Sequence, residues 1–222
     1  MPFEESLRLS IALGLTIFLV LLRFDSDRIL RSDYFRYRYP WIGPLSYYGL
    51  VIAFAIGIAV ILPNGRGRLF LTPGDPELSL QIMLLFSAVG VLTGLAFAFR
   101  WYGAITPLPT ALLPSRLIGT AASAVADELQ FRSIVLGMLI FADLPGGVGT
   151  AIVIQALLYG LAQRRLWRER QWFFLIASVL LGYAAGQATV AAGSVVPAIV
   201  GHFAVMAALF AFAGGRLRTR PI

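Results

Sequence analysis

The charged residues that could do chemistry lie in the middle of an otherwise apolar segment, Leu117 to Ile140, which contains Asp127, Glu128 and Arg132. A charged side chain at the centre of a bilayer costs roughly 2.5–3.5 kcal/mol on insertion scales, so none of the three should face lipid. Glu128 and Arg132 are spaced i, i+4 with the acid first, the favourable order for an ion pair on a helix. We therefore predict a buried Glu128–Arg132 pair.

Asp127 is the stronger candidate for a functional acid. Successive helical residues point about 100° apart, so Asp127 can face a cavity while Glu128 pairs with Arg132 behind it. Two adjacent acids with one arginine leave one carboxylate uncompensated. A buried carboxylate of this kind is a default candidate for a proton acceptor. A purely structural ion pair that locks helix packing is the alternative interpretation of Glu128 and Arg132.

Two further polar residues lie in apolar segments. Gln163 follows Tyr159 by four residues, so the two share a helical face, and His202 lies within the apolar run VPAIVGHFAVM. A lone histidine on an apolar helix is also compatible with an ordinary packing hydrogen bond. Buried polar groups in hydrocarbon need partners or water. We therefore predict that Asp127, Gln163 and His202 line one polar cavity.

The composition excludes several kinds of site. The chain has no cysteine and one histidine, so it cannot form disulfides, thiolate sites or a zinc site with two histidines. No cofactor and no metal is expected. The net charge of +7 comes from arginine alone, since the sequence contains no lysine. In a membrane protein such charge sets topology, so no nucleic-acid partner is expected.

Hydropathy indicates the elements that must position these residues. The 222-residue chain is 59% hydrophobic and only 13% charged, which predicts an all-α, polytopic transmembrane bundle with the lipid bilayer as its first partner. We predict one structural unit: an N-terminal three-helix region (1–115), a four-helix core (116–213) and a cytoplasmic tail (214–222). Seven spans are predicted: Leu7 to Leu22, Ile42 to Leu62, Leu78 to Phe99, Leu117 to Ile140, Gly147 to Leu161, Trp172 to Ala191 and Val195 to Ala213.

The arginines indicate the orientation. Five follow the first segment (Arg23 to Arg38), two follow the third, four follow the fifth and three lie in the C-terminal tail, which places 14 on one side against three on the other. Cytoplasmic loops carry the excess of arginine. We predict a multi-pass plasma-membrane protein with its N-terminus outside and its C-terminus in the cytoplasm.

Three motifs resemble those of a known family. DELQFRS (Asp127 to Ser133) is similar to the EExxFRG signature of the CAAX-protease and bacteriocin-processing (CPBP, or Abi) family, LLYGLAQ (Leu157 to Gln163) to its FxxxH motif, and GSVVPAIVGHFAVM (Gly193 to Met206) to its third motif. The resemblance covers Arg116 to Phe212. It implies a helix bundle around a water-filled cavity and the activity of an intramembrane glutamic-type endopeptidase.

The resemblance also implies roles for individual residues. Asp127 takes the position of the water-activating acid, Glu128 pairs with Arg132, and His202 takes the position of the histidine that holds the oxyanion. Gln163 occupies a histidine position and Met206 an asparagine position. Asp127 is one methylene shorter than the family's glutamate, Gln163 cannot act as an acid or base near neutral pH, and Met206 lacks a donor. These departures predict slow chemistry, altered chemistry or none.

Three functions are compatible with this sequence. The first is a membrane-embedded peptidase whose peptide or protein substrate enters from the membrane or the cytoplasm. The second is a family member that has lost catalysis and acts as a membrane binding, immunity or maturation factor. The third, a small transporter with a proton or anion path, lacks the paired broken helices or inverted repeats typical of transporters. Convergence of the polar residues on one water-accessible cavity would favour the peptidase.

Overall fold

The regular structure of the described part of the chain is entirely helical. The computed structural model describes residues 3–30, 42–105, 113–163 and 171–212. Within these residues, seven continuous helical segments coincide with the seven predicted segments. The helices are α1 (Phe3–Leu30), α2 (Ile42–Ile61), the short α3 (Gly65–Arg68), α4 (Pro76–Tyr102), α5 (Leu113–Glu128), α6 (Leu136–Phe141), α7 (Gly147–Ala162), α8 (Gln171–Ala192) and α9 (Val196–Phe212).

In the part of the chain that the structure describes, three stretches are long and apolar enough to cross a bilayer by length and composition, namely Phe3–Phe24, Pro76–Arg100 and Leu175–Ala192. Three shorter apolar helices accompany them, at Ser46–Ile61, Gly147–Ala162 and Val196–Ala208. The predicted class, an all-α bundle of membrane helices, is confirmed. The number of seven complete spans stays a prediction, because three of the described stretches meet the criteria of length and composition.

The first helix is longer than its apolar segment. The sequence predicted a span from Leu7 to Leu22 followed by an arginine-rich loop, whereas α1 continues to Leu30. Arg23 is therefore a helical residue and not a loop residue. Since Ala12, Thr16 and Leu19 are buried on this helix, the i+4, i+7 and i+11 spacing puts Arg23 on the same inward stripe.

A π-helix interrupts the helix that carries the charged motif. Residues Leu129–Val135 form it between α5 and α6, so the three segments make one continuous rod. Residues 130–135 are all buried. Because a π-helix has a wider turn than an α-helix, it rotates the side chains after Glu128 relative to a regular helix. The hydropathy pattern carries no signal for this change.

Two groups of helices hold this rod in place. The largest apolar core joins α1 and α2 to the rod through buried residues that include Leu19, Val51, Ile58, Ala126 and Ile134. On the other side α4 lies closely against α9. A Cβ added at Gly90 would lie 2.8 Å from the backbone nitrogen of Val205, and one at Gly201 would lie 2.6 Å from Phe86. Glycine at both positions therefore allows the helix that carries His202 to approach α4.

Candidate active site

The predicted ion pair is present and fully buried. Arg132 Nε lies 3.0 Å from Glu128 Oε2, and neither side chain has any exposed surface. Glu128 is the last residue of α5 and Arg132 lies in the π-helix that follows. The prediction that this pair faces the protein interior is confirmed. Burial removes most solvent screening, so Arg132 is held as a fixed cation beside the acid.

Glu128 also binds the single histidine. His202 Nδ1 lies 2.8 Å from Glu128 Oε1, and both side chains are buried. An ionised carboxylate can only accept hydrogen bonds, so Nδ1 must carry the proton that His202 donates. Glu128 therefore uses one oxygen for Arg132 and the other for His202. It joins the rod to α9 and fixes the tautomer of the imidazole.

Tyr159 closes this part of the cluster from α7. The Arg132 guanidinium carbon lies 4.0 Å from the centre of the Tyr159 ring. His202 meets the same ring edge to face, with centroids 6.1 Å apart and planes at 85°. Phe131 packs against Tyr159 in a similar way, at 5.3 Å. From the sequence, Tyr159 was only a residue on the face of Gln163. In the structure, the Tyr159 ring contacts both Arg132 and His202.

Asp127 has a counter-ion that the sequence reasoning missed. Arg23 Nη2 lies 3.1 Å from Asp127 Oδ1 and 3.4 Å from Oδ2. The side chain of Arg23 is 19% exposed and that of Asp127 is 5% exposed. The prediction of one uncompensated carboxylate is therefore wrong, because Arg23 lies on α1 beside Asp127 and not in a loop. The buried stripe of α1 is the signal that could have found it.

Gln163 also contacts Asp127. Its Nε2 donates to Asp127 Oδ2 over 3.3 Å. Gln163 caps the C-terminal end of α7, where its backbone nitrogen bonds to the carbonyls of Tyr159 and Gly160. The amide can orient a water molecule or a carboxylate, and near neutral pH it cannot transfer a proton.

The predicted trio is thus divided between the two acids. Gln163 contacts Asp127, whereas His202 contacts Glu128. The two halves are joined by the peptide bond between Asp127 and Glu128. Met206, at the position where the resemblance places asparagine, is partly buried one turn beyond His202 on α9. The shared cavity lined by all three polar residues stays a prediction.

A second polar network supports the cluster from the N-terminal helices. Gln130 is fully buried; its Nε2 donates to the Leu19 carbonyl over 2.9 Å and its Oε1 accepts from the Tyr47 hydroxyl over 2.5 Å. Ser133 Oγ donates to the Leu69 carbonyl over 2.5 Å. Each bond ties the π-helix to a different segment. Buried polar groups satisfied in this way fix the rotation of the rod.

An apolar groove lies beside the cluster. Its volume is about 260 Å³, and it runs between α1 and the rod. Four of its lining residues, Val20, Val135, Leu139 and Leu158, belong to the cluster that packs around Phe131 and Tyr159. The full lining is Leu13, Thr16, Ile17, Val20, Leu21, Val135, Met138, Leu139, Ala142 and Leu158.

The arrangement can support acid–base chemistry on a bound water. It holds two carboxylates, two guanidinium groups, an imidazole and an amide in two adjacent contact groups, one around each acid, between α1, the rod, α7 and α9. Among the residues that the structure describes, no group of three His, Cys, Asp or Glu side chains is placed to hold a metal ion.

The fold and this cluster define a class of protein: a helical membrane protein with a buried acid, arginine and histidine network between its helices. Within that class, the family model described as type II CAAX prenyl endopeptidase Rce1-like matches residues 109–208. The matched residues hold Asp127, Glu128, Arg132, Gln163 and His202, and the match agrees with the CAAX-protease family that the motifs resemble. No curated protein and no solved structure matches the chain. Arg23 and Tyr47 lie outside the matched range.

Proposed function

We propose that this protein is an intramembrane endopeptidase that hydrolyses a peptide bond with an acid-activated water. The observation that carries the proposal is the contact network around the two adjacent acids. Asp127 meets Gln163, and Glu128 meets both Arg132 and His202. The three polar residues carried over from the family's motifs, Arg132, Gln163 and His202, therefore each contact one of the two acids.

The proposed roles follow from the donors and acceptors. Asp127 is the less buried acid and accepts the proton of the attacking water, while the Gln163 amide orients that water. Glu128 holds Arg132 and His202 in place. Because the Nδ1 proton of His202 is already bonded to Glu128, a second proton on Nε2 would let the ring donate to the developing oxyanion. The reaction adds water across the peptide bond and releases a carboxylate and an amine.

The family name suggests the class of substrate, a lipidated peptide or protein that enters from the membrane or the cytoplasm. We propose a plasma-membrane location with the N-terminus outside and the C-terminus inside, on the basis of the arginine distribution. Reporter fusions at the C-terminus test the orientation: a reporter that is active only in the cytoplasm should work there. A C-terminal reporter active only outside the cytoplasm would reverse the topology.

A second candidate is a catalytically weakened member that binds or matures a partner in the membrane. One observation favours it: both oxygens of Asp127 are already engaged, by Arg23 and by Gln163. These three contacts use most of the roughly four lone-pair sites of the carboxylate, which leaves little acceptor capacity for the proton of a water. The lack of a donor at Met206 also removes one oxyanion contact, which typically costs about 10²–10³ in rate.

The deciding experiment is hydrolysis by the purified full-length protein in lipid nanodiscs. Farnesylated peptides ending in a CAAX sequence, and unmodified apolar peptides, are offered with a fluorophore and quencher. Asp127→Asn keeps the shape and removes the charge, so it should lower turnover by about 10²–10⁴, the usual worth of a general base. Asp143→Asn, at an exposed turn after α6, is the matched control. Equal turnover by wild type and D127N would refute Asp127 as the proton acceptor; no turnover by wild type would favour the binding protein.

A further inference from the structure

Arg23 places a cation from the first helix against the acid proposed to activate water. One nitrogen, Nη2, reaches both oxygens of Asp127, at 3.1 and 3.4 Å. The residue lies outside the range matched by the family model, 109–208. The motifs in that range therefore give no reason to expect an arginine here, and the contact is a feature of this chain's own N-terminal region.

The turn of α1 that carries Arg23 is held by a specific polar frame. Gln130 donates to the carbonyl of Leu19, one turn before Arg23, and Tyr47 donates its hydroxyl to Gln130. The Tyr47 ring also lies 5.7 Å from the Arg23 guanidinium. These contacts come from α2 and from the π-helix. They fix the position of α1 beside the acid, so the ion pair is not made by an isolated surface side chain.

The chemistry explains why this acid needs a cation. An isolated charged carboxylate in an apolar interior is very unfavourable and takes up a proton instead. The neighbouring cation, Arg132, is already paired with Glu128. The amide of Gln163 can donate a hydrogen bond to Asp127 but carries no charge. Arg23 is therefore the group that can keep Asp127 in its charged, proton-accepting form at this depth.

We propose that Arg23 is a positioning residue for Asp127: it holds the carboxylate charged and in one orientation, and Tyr47 and Gln130 hold Arg23 in turn. This inference rests on the proposed role of Asp127 as the proton acceptor. Arg23 acts through Asp127 and does not bind substrate.

The variants are Arg23→Gln, which removes the charge, and Arg23→Lys, which keeps it. A single nitrogen of Arg23, Nη2, contacts Asp127. The point charge of a lysine can therefore replace it, whereas lysine could not replace an arginine that uses two nitrogens to bind one carboxylate. Arg8→Gln is the matched control, since Arg8 lies on the same helix in an exposed pair with Glu4. Thermal stability of all four proteins in the same nanodiscs shows whether each variant is folded.

Peptide hydrolysis gives the first readout. R23Q should lower kcat about 10-fold to 100-fold with KM unchanged, the scale of loss expected when a catalytic group is misplaced by about 1 Å. R23K should recover most of that loss, and R8Q should match wild type. A raised KM in R23Q, an unchanged kcat, or a loss that lysine does not recover would overturn the inference.

A second readout does not depend on peptidase activity. A hydrophobic carbodiimide modifies the uncharged form of buried carboxyl groups, and peptide mass spectrometry locates the product at residue 127. Modification of Asp127 should be about 10-fold faster in R23Q than in wild type or R23K, because the acid without its cation takes up a proton. Equal rates would overturn the inference. If wild type hydrolyses nothing, the proposed peptidase fails, and the carbodiimide rates alone still decide whether Arg23 keeps Asp127 charged.

Discussion

Replacing Arg132 by methionine tests the central ion pair most directly. The side chain has no exposed surface, lies 3.0 Å from Glu128 and covers the Tyr159 ring at 4.0 Å. Its removal leaves the Glu128 carboxylate buried with only His202 as a partner. Breaking a buried pair by removing one member costs about 3–5 kcal/mol. We expect the lower half of that range, since a protonated His202 can take over part of the compensation.

The assay is reversible unfolding in mixed micelles with increasing SDS. Arg8→Met, on an exposed pair, should change the free energy of unfolding by less than about 1 kcal/mol. The double variant E128M/R132M should be more stable than R132M, because replacing both partners by apolar groups removes the stranded charge. Its remaining loss, about 1–3 kcal/mol, is the cost of leaving His202 Nδ1 without its acceptor. A stability of R132M within about 1 kcal/mol of wild type would refute the reasoning.

Two further substitutions test how the site is held. Gly90→Ala should destabilise the protein and lower any hydrolysis, because its Cβ would meet the backbone of Val205 at 2.8 Å; Gly57→Ala, with nothing within 4 Å, should be neutral or stabilising by up to about 1 kcal/mol. Tyr47→Phe should cost about 1–3 kcal/mol by leaving the buried Gln130 oxygen without its donor. Both are checked by the same unfolding assay, and equal stability of the two glycine variants would show that α4 and α9 do not depend on close contact.

Hydropathy was enough to predict the rods of this fold. Apolar runs in a membrane protein coincide with helices because hydrocarbon leaves the backbone no other partners than its own groups. The Glu128–Arg132 pair was also predictable, since i, i+4 neighbours lie on one face of an α-helix and the pair persists across the start of the π-helix. These inferences depend only on spacing along one segment.

Contacts between distant segments were not predictable in the same way. Which acid His202 binds depends on the rotation of the rod, and the π-helix changes that rotation without any signal in hydropathy. Arg23 was assigned to a loop because the apolar run ends at Leu22, although α1 continues to Leu30. An orientation predicted from the number of arginines in each loop assumes that every one of these arginines is exposed to water. Arg23 shows that an arginine just beyond an apolar run can turn inward when its helix continues.

The residue at 163 and the arginine at 23 are connected by the chemistry of Asp127. A histidine at 163, as in the family's motif, could carry positive charge beside the acid, whereas glutamine supplies only a neutral donor. With glutamine there, the buried carboxylate needs its cation from elsewhere, and Arg23 provides it at 3.1 Å. One histidine could supply both a positive charge and a hydrogen bond to Asp127. Here Arg23 on α1 supplies the charge and Gln163 at the end of α7 donates the hydrogen bond. Helix α1 therefore contributes a charged contact to the candidate site.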